Sequence, residues 1–299
     1  MNRLVITMVL GALLLAPCGC AAPPAEGLEG KSEKELLRAF GAELPDERLA
    51  AAKAMAKKGP EVVPKLIEAL KHKDWRVRRS ATDALADLKA GAKPAMPALT
   101  EALKDKDAWV RAGAAVALGS IGADAKVAAP ALAEAAVDGD LWVRKCALES
   151  LARGNVTDDK ELLLKAAVGA MAIRESGWAA KRFAMDILNR HGKDYKPAIP
   201  ALLRVLEAPP EGMWDGTPRV VELLAGMGAA GKAVPYLIEL LKPERRTVPR
   251  KAAEALGKLG GPAAPALPAL RTLAEKAVDK GAREAAKKAI EQIEAAMKK

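Results

Sequence analysis

The 299-residue chain has little of what most enzymes use for chemistry. It contains three cysteines and two histidines, His72 and His191, and aromatic residues make up only 3% of it. Three cysteines exclude a disulfide framework and any metal site built from several thiolates. Two histidines far apart in sequence leave little for metal binding or general base catalysis. We therefore predict a protein that is not an enzyme and that holds no metal and no cofactor.

The sequence also has no motif that would place a reactive side chain. Neither a Gly-x-Ser-x-Gly elbow nor a His-Glu-x-x-His pair occurs. The run Gly226-Met-Gly228-Ala-Ala-Gly231-Lys232 matches a dinucleotide or phosphate loop by its letters, but such a loop must follow a strand. The preceding residues, 220–224, are predicted to be helical. We therefore interpret this run as a turn in which glycine ends a helix.

Long hydrophobic runs are missing except near the N-terminus. Arg3 precedes an apolar run from Leu4 to Ala16, which is shorter than the ~20 residues that a membrane-spanning helix needs. A short positive region followed by such a run is typical of a secretory signal. We expect residues 1–20 to be this signal, residues 21–30 a flexible tether and residues 31–299 the folded part.

The end of the signal resembles a bacterial lipobox, in which a small residue precedes a lipidated cysteine. Gly19 precedes Cys20 as that motif requires, although Pro17 stands where an aliphatic residue is usual. Cys18 is the alternative lipidation site, and simple secretion without a lipid is a further one. The resemblance implies an exported protein of the periplasm or cell envelope, anchored through Cys20.

The remaining composition favours closely packed helices. The sequence is 51% hydrophobic and contains 65 alanines, the best helix former. Its 48 basic residues are spread among 38 acidic residues without a basic block, although the formal net charge is +10. Nucleic acid is therefore not the expected partner, whereas weak attraction to anionic surfaces stays open.

One unit of about 33 residues is repeated along the chain. The segments Asp74-Trp-Arg-Val-Arg78, Asp107-Ala-Trp-Val-Arg111 and Asp140-Leu-Trp-Val-Arg144 place their last arginines 33 residues apart. After each arginine we predict an alanine-rich first helix, a turn with glycine, and a second helix that begins with proline. The aspartates fit N-caps of the first helices. The same register places further basic residues at Arg48, Lys181, Arg219, Arg250 and Arg283. It places the prolines of the second helices at Pro64, Pro97, Pro130, Pro200, Pro235 and Pro268.

This pattern resembles HEAT repeats, particularly the HEAT-like form of the phycobilisome bilin lyases. Val77-Arg78 and Ala95-Met-Pro-Ala-Leu99 carry the match. The resemblance implies an all-α fold, a right-handed superhelix of about seven helix pairs plus terminal helices. It also implies that aspartate and arginine form a ladder between stacked units. The ladder residues would be Asp74, Arg78, Asp107, Arg111, Asp140, Arg144, Asp215, Arg219, Arg250 and Arg283. Departures stand at Lys181, Gly177 and Arg246.

The tryptophans at the start of successive first helices allow two interpretations. Trp75, Trp109, Trp142 and Trp178 follow the repeat register, which favours packing between units, but an aromatic binding row would have the same spacing. The remaining tryptophan, Trp214, lies in the loop 208–216 of the longest repeat interval. Insertions in repeat arrays often fall on the binding edge.

We expect a non-catalytic scaffold that binds another protein in the cell envelope. The resemblance places the second helices on the concave side, where mixed charges suit a protein partner. The candidate contacts are Met213, Trp214, Lys65, Glu68, Glu101, Arg204, Glu239 and Arg271. One alternative is an electrostatic binder of anionic lipid, envelope polymer or nucleic acid. A second, chromophore handling, follows only from the resemblance to bilin lyases.

Overall fold

A computed structural model describes residues 28, 30–153, 156–173, 177–192, 194–207, 217–242 and 248–298. Throughout these residues the regular structure is helical, without strands, so the predicted all-α fold is confirmed. The α-helices are α1 (Glu33–Ala39), α2 (Pro45–Ala56), α3 (Val63–Ala69), α4 (Trp75–Leu88), α5 (Met96–Ala102), α6 (Ala108–Ile121), α7 (Ala129–Ala135), α8 (Leu141–Arg153), α9 (Lys160–Ala172), α10 (Gly177–His191), α11 (Ile199–Glu207), α12 (Thr217–Gly226), α13 (Ala230–Leu240), α14 (Val248–Leu259), α15 (Leu267–Lys276) and α16 (Lys280–Met297).

The even-numbered helices are the predicted first helices, and the odd-numbered ones from α3 onward are the second helices. Seven such pairs, α2–α3 to α14–α15, lie between the starting helix α1 and the closing helix α16. Successive pairs stack side by side, so that one continuous core of alanine, leucine and valine runs through the described chain.

Aspartate begins the first helices as the sequence predicts. The carboxylate oxygens of Asp74, Asp107 and Asp140 accept backbone N–H bonds from the second helical residue at 2.8–2.9 Å, and Asp279 accepts from the third residue of α16 at 2.7 Å. Each satisfies an N–H group that has no partner inside the helix and places a negative charge at its positive end.

The turns inside the units explain the glycines. Gly122 (φ 75°, ψ −137°) and Gly260 (φ 62°, ψ −132°) have a backbone conformation that glycine adopts without a steric penalty. In the run 226–232, Gly228 has φ +70°, and the N–H of Ala229 donates to the carbonyl of Leu224 at 2.7 Å. This is a helix C-cap between α12 and α13, so the interpretation of the run as a turn is confirmed.

Lys89 occupies the position of Gly122 one unit earlier, with φ 51° and ψ −127°. A side chain is strained in this region, by an amount of order 1 kcal/mol. We predict that Lys89→Gly raises the free energy of unfolding by about 1 kcal/mol in urea titrations. The reverse change, Gly122→Lys, should lower it by a similar amount. Equal stability of all three proteins would contradict the assignment of strain.

Prolines lie at the start of the second helices, with two exceptions, of which one is α9, where Asp159 is the N-cap instead. Pro64, Pro97, Pro130 and Pro268 lie at the first or second position of their helices, where the missing N–H costs nothing. Pro235 lies inside α13, and the prediction that it starts a second helix is wrong. In this unit, α-helix replaces the short 3₁₀ segment that precedes the proline elsewhere, so α13 begins five residues before it.

The two layers of helices are not packed equally. From α2 to α8 the first helices of neighbouring units contact one another along their lengths, whereas the second helices α3, α5 and α7 make few mutual contacts. The close approach depends on small side chains, since a Cβ atom on Gly119 would lie 3.1 Å from the Cα atom of Ser150. In this stretch the first helices therefore form the more closely packed layer. The expectation that the second helices line the concave side stays a prediction.

Residues 108–135 form the one helical stretch of the described chain that is long and apolar enough to span a membrane by length and composition. The stretch consists of α6, a 3₁₀ segment and α7, and its direction changes at Gly122. Most of its leucines and alanines are buried, largely against α4 and α8. These residues therefore belong to the core of the array. Cys146 is likewise buried in the core, as the sequence predicts.

Candidate interaction surface

The repeated arginines hold the loops that connect one unit to the next. In five of them one guanidinium nitrogen donates to two carbonyl groups, those five and six residues earlier. For Arg78 these are Lys73 and His72, at 3.0 and 2.8 Å. The same pair of bonds is made by Arg48, Arg111, Arg144 and Arg283, at 2.6–3.4 Å. The arginine thereby satisfies carbonyl groups of the connecting loop.

The carboxylate of the ladder comes from a different aspartate than expected. The Arg78 guanidinium makes a bidentate bond to Asp105, at 2.7 and 2.8 Å, and Arg111 makes the same bond to Asp138, at 2.9 and 2.8 Å. Both acids belong to the loop of the next unit. The proposed ladder acids Asp74, Asp107 and Asp140 are instead engaged as N-caps, because their carboxylates point into the helix start.

Asp105 and Asp138 also hold the N-cap residues that follow them. Each accepts an N–H bond at 2.8 Å, from Asp107 and Asp140 respectively. His72 takes this place one unit earlier, where its Nδ1 accepts from the N–H of Asp74 at 3.1 Å. The sequence contained the signal for these residues, since Asp105 and Asp138 are also 33 residues apart.

The two ladder acids have shifted pKa values. Burial by itself raises the pKa of Asp105, but the Arg78 guanidinium and the N–H of Asp107 hold it below the ordinary value. The pKa of Asp138 is lowered in the same way, by Arg111 and the N–H of Asp140 against its burial.

These shifts predict a dependence of stability on pH. When the folded-state pKa lies below the unfolded one, the carboxylate stabilises the fold above the unfolded pKa of about 3.9, and this contribution is lost as pH falls through the folded value. We expect the free energy of unfolding to fall below about pH 4. The fall should be shallower in Asp105→Asn/Asp138→Asn, measured by urea unfolding between about pH 6 and pH 2. Parallel curves for the two proteins would contradict the ladder's contribution.

The remaining predicted ladder residues do not extend this arrangement. Arg219 contacts Asp186 of α10. Arg250 pairs at 3.0 Å with Glu254 of its own helix and is half exposed, and its guanidinium lies beside Gly281 at the start of α16. Lys181 is buried, and Asp215 lies outside the described residues.

The tryptophans of the row differ from one another. Trp75 is partly buried and has the guanidinium of Arg76 at 5.4 Å from its ring centre, and Trp142 has the ammonium of Lys145 at 4.8 Å. Trp109 is 47% exposed. Alanine stands at 112, the position equivalent to Lys145, and is buried. The side chain of Trp178 lies outside the part of the chain that the structure describes.

The proposed partner contacts on the second helices are exposed, but several of them already form ion pairs within the protein. Lys65 pairs with Glu33, Arg271 with Glu294 at 3.1 Å, and Glu239 with Lys242 at 2.6 Å. Three more contacts are exposed: Glu68, Glu101 and Arg204. Neither glutamate forms an ion pair within the described residues. Met213 and Trp214 fall outside the described residues.

A second surface, which the sequence reasoning missed, lies on the connecting loops of the first four units. We call it the loop edge and define it by Lys71, Lys73, Lys104, Lys106, Trp109, Val137 and Leu141. The four lysines are exposed, and in the described structure their ammonium groups form no hydrogen bond or ion pair. Val137 and Leu141 are 44% and 54% exposed. The register contained the signal, because Val137 stands where the two preceding units have Lys71 and Lys104.

The described residues show no group of histidine, cysteine, aspartate and glutamate side chains that could hold a metal ion. His191 ends α10, where burial and the nearby Arg190 lower its pKa. What the structure does present is long rows of side chains repeated from unit to unit. The fold and these surfaces define an α-solenoid.

Comparison with known proteins assigns the solenoid to a family. The sequence profile of HEAT repeats matches residues 33–119, 89–152 and 217–291, so the chain belongs to the HEAT-repeat family. The crystal structure of Escherichia coli YibA is similar over 90% of this chain and 95% of that one, with 21% identity and a TM-score of 0.58. Kap121p bound to Ste12p is similar over 87% of this chain and 37% of that one, with 15% identity and a TM-score of 0.50. No curated protein matches the sequence.

Proposed function

We propose that the protein is a scaffold of the cell envelope that binds another protein and catalyses no reaction. The observation that carries the proposal is the repetition of exposed charged side chains at one register without internal partners. Glu68, Glu101 and Glu134 form such a row on the second helices, and lysines form others on the loop edge. Folding of the array does not require such rows of exposed charges, whereas an extended partner contacts successive units through them.

The charges favour a protein over a polyanion. The acidic row on α3 and α5 lies three residues before the basic row of the loop edge, as Glu68 and Lys71 show. A polyanion would be repelled by the acidic row, while a protein surface can match both signs. A complex between Kap121p and Ste12p shows that a solenoid of this fold has a protein partner, and we extend this to the present chain as part of the proposal.

Affinity purification tests the proposed binding. The tagged full-length protein would be isolated from mildly solubilised envelopes at low and high salt, with mass spectrometry of the retained material. One protein retained in stoichiometric amount at high salt is the expected result. Retention of only lipid, polymer or nucleic acid, lost at high salt, would reject the scaffold and support electrostatic binding.

The proposed location rests on the N-terminal sequence alone. Lipidation of Cys20 would anchor the protein while residues 21–30 separate the array from the membrane. Metabolic labelling with palmitate should mark the wild type and Cys18→Ala but not Cys20→Ala. Labelling that is lost only in Cys18→Ala would move the anchor to that residue, and an unlabelled but exported wild type would contradict anchoring.

A further inference from the structure

We infer that the loop edge is a docking surface for a protein segment that carries carboxylates followed by apolar side chains. This inference rests on the proposed protein-binding function and names the class of partner. The loop edge runs over three consecutive loops, residues 70–74, 103–107 and 136–140, which precede α4, α6 and α8.

The first two loops present positive charge that the fold leaves unmatched. The carboxylates of these loops are engaged, since Asp105 binds Arg78 and the N–H of Asp107, while Asp74 and Asp107 cap helices. Lys73 and Lys106 contribute only their backbone carbonyls to the arginines, at 3.0 and 3.4 Å, and their ammonium groups stay exposed. Exposed ammonium groups beside engaged carboxylates fit the carboxylates of another chain.

The third loop has no lysine at these repeat positions. Gly139 replaces the lysine of the two earlier loops, and Val137 replaces Lys71 and Lys104. Leu141 is more than half exposed and adds a second apolar side chain. Because the two preceding units have lysine at the position of Val137, the fold does not require an apolar side chain there. Trp109 lies between the positive and the apolar parts and provides an exposed ring. Of the seven large apolar side chains that are exposed in the described residues, three belong to the loop edge: Trp109, Val137 and Leu141.

The spacing sets the length of the segment. Neighbouring packed helices lie about 8–10 Å apart, and an extended chain advances about 3.3 Å per residue. Three residues of an extended partner therefore span one unit, and about six to eight reach from the first loop to the third. The partner would place carboxylates at its first half, opposite Lys73 and Lys106, and apolar side chains at its second half, opposite Val137 and Leu141.

Peptide selection tests this inference. A displayed library of random 12-residue peptides would be selected on the full-length protein and counter-selected on Lys73→Glu/Lys106→Glu. We expect enriched peptides to contain at least two carboxylates followed by apolar residues. Their synthetic forms should bind Lys73→Glu/Lys106→Glu, and separately Leu141→Ser, at least tenfold more weakly than the wild type. Lys287→Glu/Lys288→Glu, with the same change of charge on α16, should bind them as the wild type does.

Several outcomes would overturn the docking surface. These are the absence of enriched peptides, enrichment of peptides without carboxylates, or equal loss of binding in the α16 control. Binding of phosphatidylglycerol vesicles that needs the lysines but is unchanged in Leu141→Ser would point to an anionic lipid surface and also overturn it. A co-purified protein retained equally by the wild type and by Lys73→Glu/Lys106→Glu would leave the proposed function standing and reject only this site.

Discussion

Replacing Gly119 by alanine is expected to lower the free energy of unfolding by about 2 kcal/mol, although alanine is the better helix former. The new Cβ atom would lie 2.7 Å from the Cβ atom and 3.1 Å from the Cα atom of Ser150. A backbone atom cannot rotate away, so α6 and α8 must separate, and the contacts of the closely packed layer are lost along both helices. Urea unfolding followed by circular dichroism measures the effect.

Gly231 provides the matched control. It lies in helix α13, and a Cβ atom there would have no neighbour within 4 Å, so Gly231→Ala should be neutral or stabilise by up to about 1 kcal/mol. Ser150→Gly should cost less in the Gly119→Ala background than alone, because it removes the atoms that clash. Additive effects of the two substitutions, or a stable Gly119→Ala protein, would show that the helices are not in such close contact.

Removing the Asp105 carboxylate by substitution with alanine is expected to destabilise the protein by about 3 kcal/mol. The Arg78 side chain is only 7% exposed, and Asp105→Ala leaves its charge without a carboxylate in a place where water cannot replace it. The same substitution removes the acceptor for the N–H of Asp107, so the start of α6 also loses support. Thermal and urea unfolding would measure the loss.

An exposed ion pair between the same two units is the control. Lys93 binds Asp124 at 2.9 Å, but both side chains are about half exposed. Asp124→Ala should therefore change the free energy of unfolding by less than about 1 kcal/mol. If Asp105→Ala lowered the free energy of unfolding as little as Asp124→Ala does, the ladder would not contribute to the stability of the fold.

The repeat could be predicted because it depends on local chemistry that every unit shows. Asp74, Asp107 and Asp140 begin helices by the same N-cap bond, and Gly122 and Gly228 end helices because other residues are strained there. These positions are fixed by interactions within a few residues, which a sequence pattern displays directly. Cys146 was likewise predictable from the apolar residues around it.

The acid of the ladder could not be selected by spacing alone. Asp105 and Asp107 lie two residues apart, and both recur 33 residues later, so the register fits either one. The choice depends on where the Arg78 guanidinium points in three dimensions, and it points across the joint toward the next loop. The engagement of Arg250 with Glu254 had no distinguishing sequence signal, since an arginine at the register position looks the same whichever partner it takes.

The binding surface was the least predictable feature. The close packing of the first helices depends on contacts such as Gly119 with Ser150, which the repeat register does not single out. The loop edge was visible in the register only as the change from Lys71 and Lys104 to Val137. That change becomes informative once the structure shows that these side chains are exposed and that the neighbouring carboxylates are engaged.

The most direct test of the account is the stoichiometry of the protein with the partner that it retains at high salt. The complex would be measured by light scattering during size-exclusion chromatography in about 0.5 M salt, where long-range electrostatic attraction is screened. We predict a discrete complex with one protein partner that persists at this salt concentration. A chain that elutes alone, and that associates only with anionic vesicles or polymer at low salt, would contradict the scaffold function.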